Sequence, residues 1–248
     1  MGLSSNIIWH QTDIKGFNAI LKSRCLMCSY SLETFLDKDQ KIAFPMISLS
    51  DIAVADIKEY MGQYDGYLIG FSREWVIKNG FNPVWYCEKN NQALNAHKKK
   101  IYHDSCSDDN VNRDAALLAL QYGAYIKDIE GPLHVKSKNK TYSNYRFYDE
   151  REYRYVPDFN DLLSKGIMPC LLENDYNEYK KIKGNSLIQS SIPFTLADIK
   201  MLIVQTDKQA IKLKQKLKNI SQSIHVFSQN EIKQSIIGIG HQIDKEKK

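Results

Sequence analysis

The sequence predicts an α+β fold. Strand-like segments rich in β-branched and aromatic residues recur along the 248 residues, and helical periodicity is confined to a few stretches between them. The segment with most βαβ character, near the C-terminal end, has no glycine-rich phosphate loop. The chain is 43% hydrophobic and 25% charged, which suits a globular protein with one sizeable core. Its longest apolar runs, such as Met201 to Val204, are far too short to span a bilayer, so no membrane partner is expected. Residues 1–6 lack a basic and apolar leader, and Asn6 stands where a myristoylation pattern needs Ser or Thr. Five cysteines, odd in number and loosely spaced, predict reduced thiols and a cytoplasmic protein.

The elements follow in order. Ile7 to His10 reads as a short strand. Asp13 then caps a helix with Ile14, Phe17 and Leu21 on one face. Ala43 to Asp51, Tyr67 to Ser72 and Pro83 to Cys87 read as strands. A short helix from Arg73 to Lys78, ended by Asn79-Gly80, joins the last two. Asp108 or Asp109 caps the most regular helix, in which Ala115, Leu118, Ala119, Tyr122, Tyr125, Ile126 and Ile129 keep helical spacing until Gly131-Pro132. Lys136 to Asn144 reads as an exposed loop.

The stretch Arg146 to Pro157 reads as a strand carrying charge on both faces. Alternation puts Tyr148, Glu150, Glu152 and Arg154 on one side and Asp149, Arg151, Tyr153 and Tyr155 on the other. Such charge is costly in a central strand unless it is paired or used, so the segment reads as a site. Met201 to Gln205 is a buried strand. Asp207 caps a helix with Ala210, Leu213, Leu217 and Ile220 on its apolar side, His225 to Phe227 is another strand, and Ser228 with Glu231 forms a capping box. No repeat or long linker divides the chain, so residues 1–240 read as one domain and 241–248 as a frayed basic tail. The net charge of +5 sits in lysine clusters at 98–100, 136–140, 180–181, 208–218 and 245–248. No compact basic block forces a polyanionic partner.

Walker, GxGxxG, GxSxG and HExxH patterns are all absent, which removes several enzyme classes at motif level. Cys25-x-x-Cys28 and His103-x-x-Cys106 have ligand-like spacing but lack the turn glycines of zinc knuckles, and no metal is assigned to them. A third constellation sits at the ends of expected strands: His10-Gln11-Thr12, Ser29-Tyr30-Ser31, Ser48-Leu49-Ser50, Phe71-Ser72-Arg73, and Glu150 with Glu152.

His10-x-Thr12 after an opening strand, the helix running into Ile20 to Leu26, and a late strand-borne Glu resemble the plan of ADP-ribosyltransferases. Residues from Trp9 to Leu26 are similar to the opening of DarT-like transferases. That resemblance implies a split β-sheet core with surrounding helices and NAD as substrate. Glu152 would stabilise the oxocarbenium-like ribose, and Glu150 would orient or activate the acceptor. His10 and Thr12 would hold a ribose hydroxyl, Tyr30 would stack on the nicotinamide, Ser48 would line the site, and Arg73 would neutralise the pyrophosphate. The acceptor would be a nucleic acid or a protein.

A broader resemblance runs over roughly residues 7–205. Phe44 to Ile52, Tyr64 to Glu88, Tyr145 to Pro157 and Ile192 to Val204 resemble the AbiGi-type family of abortive-infection proteins. Tyr153 stands where that family often has Trp, and Asp65 is an extra residue in its Tyr-Gly turn. This resemblance implies phage defence and a cognate toxin or antitoxin as partner. It also implies a second reading, a non-enzymatic antitoxin that binds a toxin or nucleic acid.

Overall fold

The computed structural model describes residues 6–34, 41–57, 60, 66–88, 91–105, 110–135, 139–182, 186–218 and 224–232. Cys106, Asp108, Asp109, Ile220, Asp65 and the tail 241–248 lie outside the described residues. The fold is mixed α+β.

Strand β1 (Ile7–Thr12) leads into α1 (Ile14–Ser23), where the Asp13 carboxylate accepts the Gly16 N–H at 2.7 Å. This is the expected cap, and it satisfies one of the orphan donors of the first turn. The buried face of α1 centres on Phe17 and Ile20, whereas Ile14 is 41% exposed. At about 100° per residue Ile14 lies roughly a quarter turn from that centre, so the expected stripe shifts by one side chain.

After β2 (Cys25–Leu26) come β3 (Ser29–Thr34) and β4 (Lys41–Ser50), then β5 (Tyr67–Ser72) and α2 (Arg73–Lys78). Gly80, at φ +79°, closes α2 in the left-handed region that glycine enters freely. The expected strand over Pro83–Cys87 divides into β6 (Asn82–Pro83) and β7 (Trp85–Cys87), which pair in different sheets. Helix α3 (Gln92–Ser105) was not anticipated; its sequence has too few apolar residues to show a stripe.

Helix α4 (Asn110–Gly123) ends earlier than its periodicity suggests. Ile126–Asp128 is instead β8, drawn into parallel pairing with β7. β9 (Gly131–Val135) pairs antiparallel with β10 (Lys140–Tyr145), which takes up much of the stretch read as an exposed loop over Lys136 to Asn144, because a polar strand gives no apolar signal. The charged segment is also divided. Phe147–Glu150 is a 3-10 turn, Arg151 sits at φ +45°, and β11 spans only Glu152–Tyr155.

There follow α5 (Phe159–Ser164), β12 (Leu171–Leu172), α6 (Glu173–Tyr179), β13 (Ile192–Pro193), β14 (Ile199–Val204), α7 (Asp207–Leu217) and β15 (His225–Ser228). Thr206, one residue before the expected Asp207, is the N-cap of α7 and shares a capping box with Gln209. The Ser228–Glu231 box forms as read: the Ser228 N–H donates to Glu231 Oε2 at 2.7 Å and the Glu231 N–H to Ser228 Oγ at 3.0 Å.

Among the described residues, the main sheet has nine strands, with the path β15-β14-β5-β1-β4-β11-β6. Its pairings are antiparallel except β14 with β15. The sheet forks along β4. Its first half pairs with β3 and β12, and its last half with β1 and β11. A large core containing Ile8, Ile69, Phe71 and Leu202 covers one face of the β1–β5–β14 region. A smaller cluster of Trp9, Ile52, Ile57, Leu68, Ile203 and Ile232 covers the other.

Candidate functional site: a buried ion cluster beside a polar cavity

Register decides which side chains meet. Trp9 and Glu152 each lie opposite Ser50, and Arg154 lies opposite Ser48. Cross-strand partners share a face, so Trp9, Ser48, Ser50, Glu152 and Arg154 point one way. His10, Leu49, Tyr153 and Tyr155 alternate to the other. Trp9 is anchored by its indole N–H to the Ile52 carbonyl at 2.9 Å.

On the Glu152 side lies a cavity of about 460 Å³. Gln11, Thr12, Ser48, Ser50, Lys127, Glu150 and Glu152 are among its walls. Of the seven residues given site roles from the sequence, four are brought together: Thr12, Ser48, Glu150 and Glu152. The other three are not part of the wall. His10 faces away, with Nδ1 3.2 Å from the Ser48 carbonyl oxygen. Desolvation holds it below its usual pKa, the Ser48 hydrogen bond opposing the shift in part. Tyr30 packs edge-on to Tyr179 at 4.9 Å and donates its hydroxyl to the Met168 carbonyl. Arg73 donates to Asp51 Oδ2 at 2.7 Å and to the Tyr153 hydroxyl at 2.6 Å, tying α2 to the end of β4 and to β11. The expected convergence of His10, Tyr30 and Glu152 on one cleft is thus not found; strand alternation alone puts His10 and Glu152 on opposite faces.

Glu152 is held by two cations. Arg154 donates from Nε to Oε1 at 2.7 Å and from Nη2 to Oε2 at 3.1 Å, and Lys127 Nζ donates to Oε2 at 2.5 Å. The same ammonium lies 3.6 Å from Glu150, and Arg154 Nη2 lies 3.2 Å from Glu33. Arg154 is fully buried and sends Nη1 to the Ala124 carbonyl at 2.6 Å, which fastens the end of α4 to β11. Burial alone would raise the Glu152 pKa, but Arg154 and then Lys127 more than offset it and hold the carboxyl well below the usual range. Lys127 shows the mirror case: burial pulls its pKa down, yet Glu152, Glu33 and Glu150 hold it above the usual lysine value. Three carboxylates thus share two cations.

Chemically, Glu152 stays an anion across the physiological range and serves poorly as a proton donor. Strand alternation in the sequence puts Glu152 and Arg154 on one side. Sequence reasoning missed Lys127, which comes from a stretch that reads as helix, and Glu33, whose only signal is its shared parity with Ser31. Of the zinc-like set, Cys28 is a buried thiol pushed up to about 12, chiefly by desolvation, and His103 is exposed on α3. Among the described residues no group of three or more His, Cys, Asp or Glu is arranged to hold a metal ion. None of their helices is long and apolar enough to cross a membrane.

A family model described as "Putative abortive phage resistance protein AbiGi, antitoxin" matches residues 22–205. The chain belongs to the AbiGi family. The match runs from the last turn of α1 through β14, and so contains the ion cluster and most of the cavity wall. A stretch of 104 residues is 29% identical to "Abortive phage resistance protein AbiGi" of Lactococcus lactis subsp. cremoris. It covers 39% of this chain and 42% of that protein, so the alignment spans less than half of the curated relative. No solved structure matches the chain. The AbiGi resemblance read from Phe44 to Ile52 and Tyr145 to Pro157 is borne out, while the DarT-like pattern finds no counterpart among these AbiGi matches.

Proposed function

We propose that this AbiGi-family protein is the antitoxin member of an abortive phage-resistance pair and acts by binding a cognate toxin protein rather than by catalysis. The observation that carries this reading is the engagement of Glu152. Both of its oxygens are held by Arg154 and Lys127 inside the protein, an arrangement that fixes a strand in place and leaves little for a substrate to use. The description of the family as an antitoxin supports it. The test is co-expression with a candidate toxin protein. Growth rescue and co-purification of the two proteins are expected, and both should survive Glu150→Gln. Rescue that is lost in Glu150→Gln, with the variant folded and still co-purifying, would overturn the binding-only reading.

One observation favours a second reading. Thr12, Ser48, Glu150 and Glu152 do share a cavity large enough for part of a dinucleotide. In that reading the protein moves ADP-ribose from NAD to a nucleic acid or protein. Glu152 would then have to turn from Lys127 toward the ribose. Nicotinamide release from NAD by the purified protein, abolished in Glu150→Gln or Glu152→Gln, would establish it. The binding reading expects no release.

A further inference from the structure

Helix α7 lies beyond the stretch matched by the family model and covers the β14–β15 end of the sheet, away from the cavity beside β11. It buries Ala210 and Leu217. Its outer surface is of one sign. Lys208, Lys212, Lys214, Lys216 and Lys218 are all exposed, and the sole acid of the helix, Asp207, is engaged with Ser228 and Asn230. Lys214 meets Glu231 at 2.8 Å. Lys208, Lys212 and Lys216 recur at four-residue intervals, a ridge roughly 12 Å long at 1.5 Å per residue.

Helix stability does not call for this ridge. Lys208 sits in the first turn, where the helix dipole disfavours a cation. The pairs Lys208/Lys212, Lys212/Lys216 and Lys214/Lys218 set like charges one turn apart. The Thr206–Gln209 capping box and the buried apolar face already secure the helix. A solvated face would intersperse acids at those spacings.

We propose that the outer face of α7 binds the phosphodiester backbone of nucleic acid, a second binding surface independent of the antitoxin reading. A linear row of like charges complements a linear polyanion better than it complements an isolated carboxylate. Lysines are flexible point charges that meet phosphates without the paired geometry of an arginine fork, so the contact reads charge and not base sequence.

The test uses the full chain and fluorescent random-sequence probes, one duplex DNA and one single-stranded RNA, in anisotropy titrations. For three phosphate contacts on duplex DNA, affinity should fall about forty-fold between about 50 and about 200 mM salt. The triple variant Lys208→Gln/Lys212→Gln/Lys216→Gln should lose most of the binding and lower the logarithmic salt slope by about 3. Its thermal midpoint should hold or rise, because repulsion is relieved; a purely structural role predicts a fall. Binding of either probe with these changes supports the proposal, and the two arms tell DNA from RNA. No binding at low salt, binding unchanged in the triple variant, or equal affinity for polyglutamate would overturn it.

Discussion

The informative residue is Arg154. Among the described residues it is a charged side chain with no exposure, and its donors reach Glu152, Glu33 and the Ala124 carbonyl. Removing one partner from a buried pair leaves an uncompensated charge, which costs about 3–5 kcal/mol. Arg154→Ala should therefore lower unfolding free energy by about that amount in urea titrations. Glu152→Gln should act in the same direction. The double variant Glu152→Gln/Arg154→Ala should be less destabilised than the two single losses combined. Strict additivity would show that the pair is not coupled. Period-two alternation made Glu152 and Arg154 visible as neighbours in the sequence. Lys127 was not visible, because its strand is defined only by pairing with β7, where its partner Tyr86 lies 41 residues earlier in the chain.

At the scale of elements, the central strands were legible and the peripheral ones were not. β1, β5 and α2 match their sequence signals closely, because apolar runs bounded by Asp13, Ser72 and Gly80 mark where each begins and ends. β8, β10 and α3 carry little apolar contrast, so tertiary pairing decides their state. Gly70 shows how tightly the legible part is packed. A methyl group there would lie 2.6 Å from Ile7 Cγ2 and 2.8 Å from Trp9 Cζ3. Trp9 has no room to yield, since it is only 1% exposed. Gly70→Ala should destabilise by about 1–3 kcal/mol through overpacking. Tryptophan emission should shift as the Trp9 ring moves from its place over β5. A variant as stable as the parent would mean that β1 and β5 separate more readily than their pairing implies.

At the scale of the whole molecule, charge is sorted by place. The sheet interior holds a cluster in which acids outnumber cations, while α7 carries cations at the surface. This separation sets the expected response to pH. The folded-state pKa of Glu152 is depressed, so its contribution is fully present above the unfolded value of about 4.3 and is lost as pH falls through the folded value. That of Lys127 is raised, so its contribution is present below about 10.4 and is lost as pH rises through the folded value. The folded-state pKa of His10 is lowered by burial, so unfolding takes up protons below about 6.5 and stability declines gently from there. Urea midpoints should thus form a plateau from about pH 7 to about pH 10, with a shallow acid shoulder and a steep fall below about pH 4. In Glu152→Gln the plateau should be lower. Its gap to the parent should narrow as the pH falls below about 4, where the carboxyl takes up a proton in the parent's unfolded chain while the folded state still holds it as an anion. A gap that stays constant down to the most acid midpoint measurable would mean that Glu152 stabilises the sheet by packing and not by its charge.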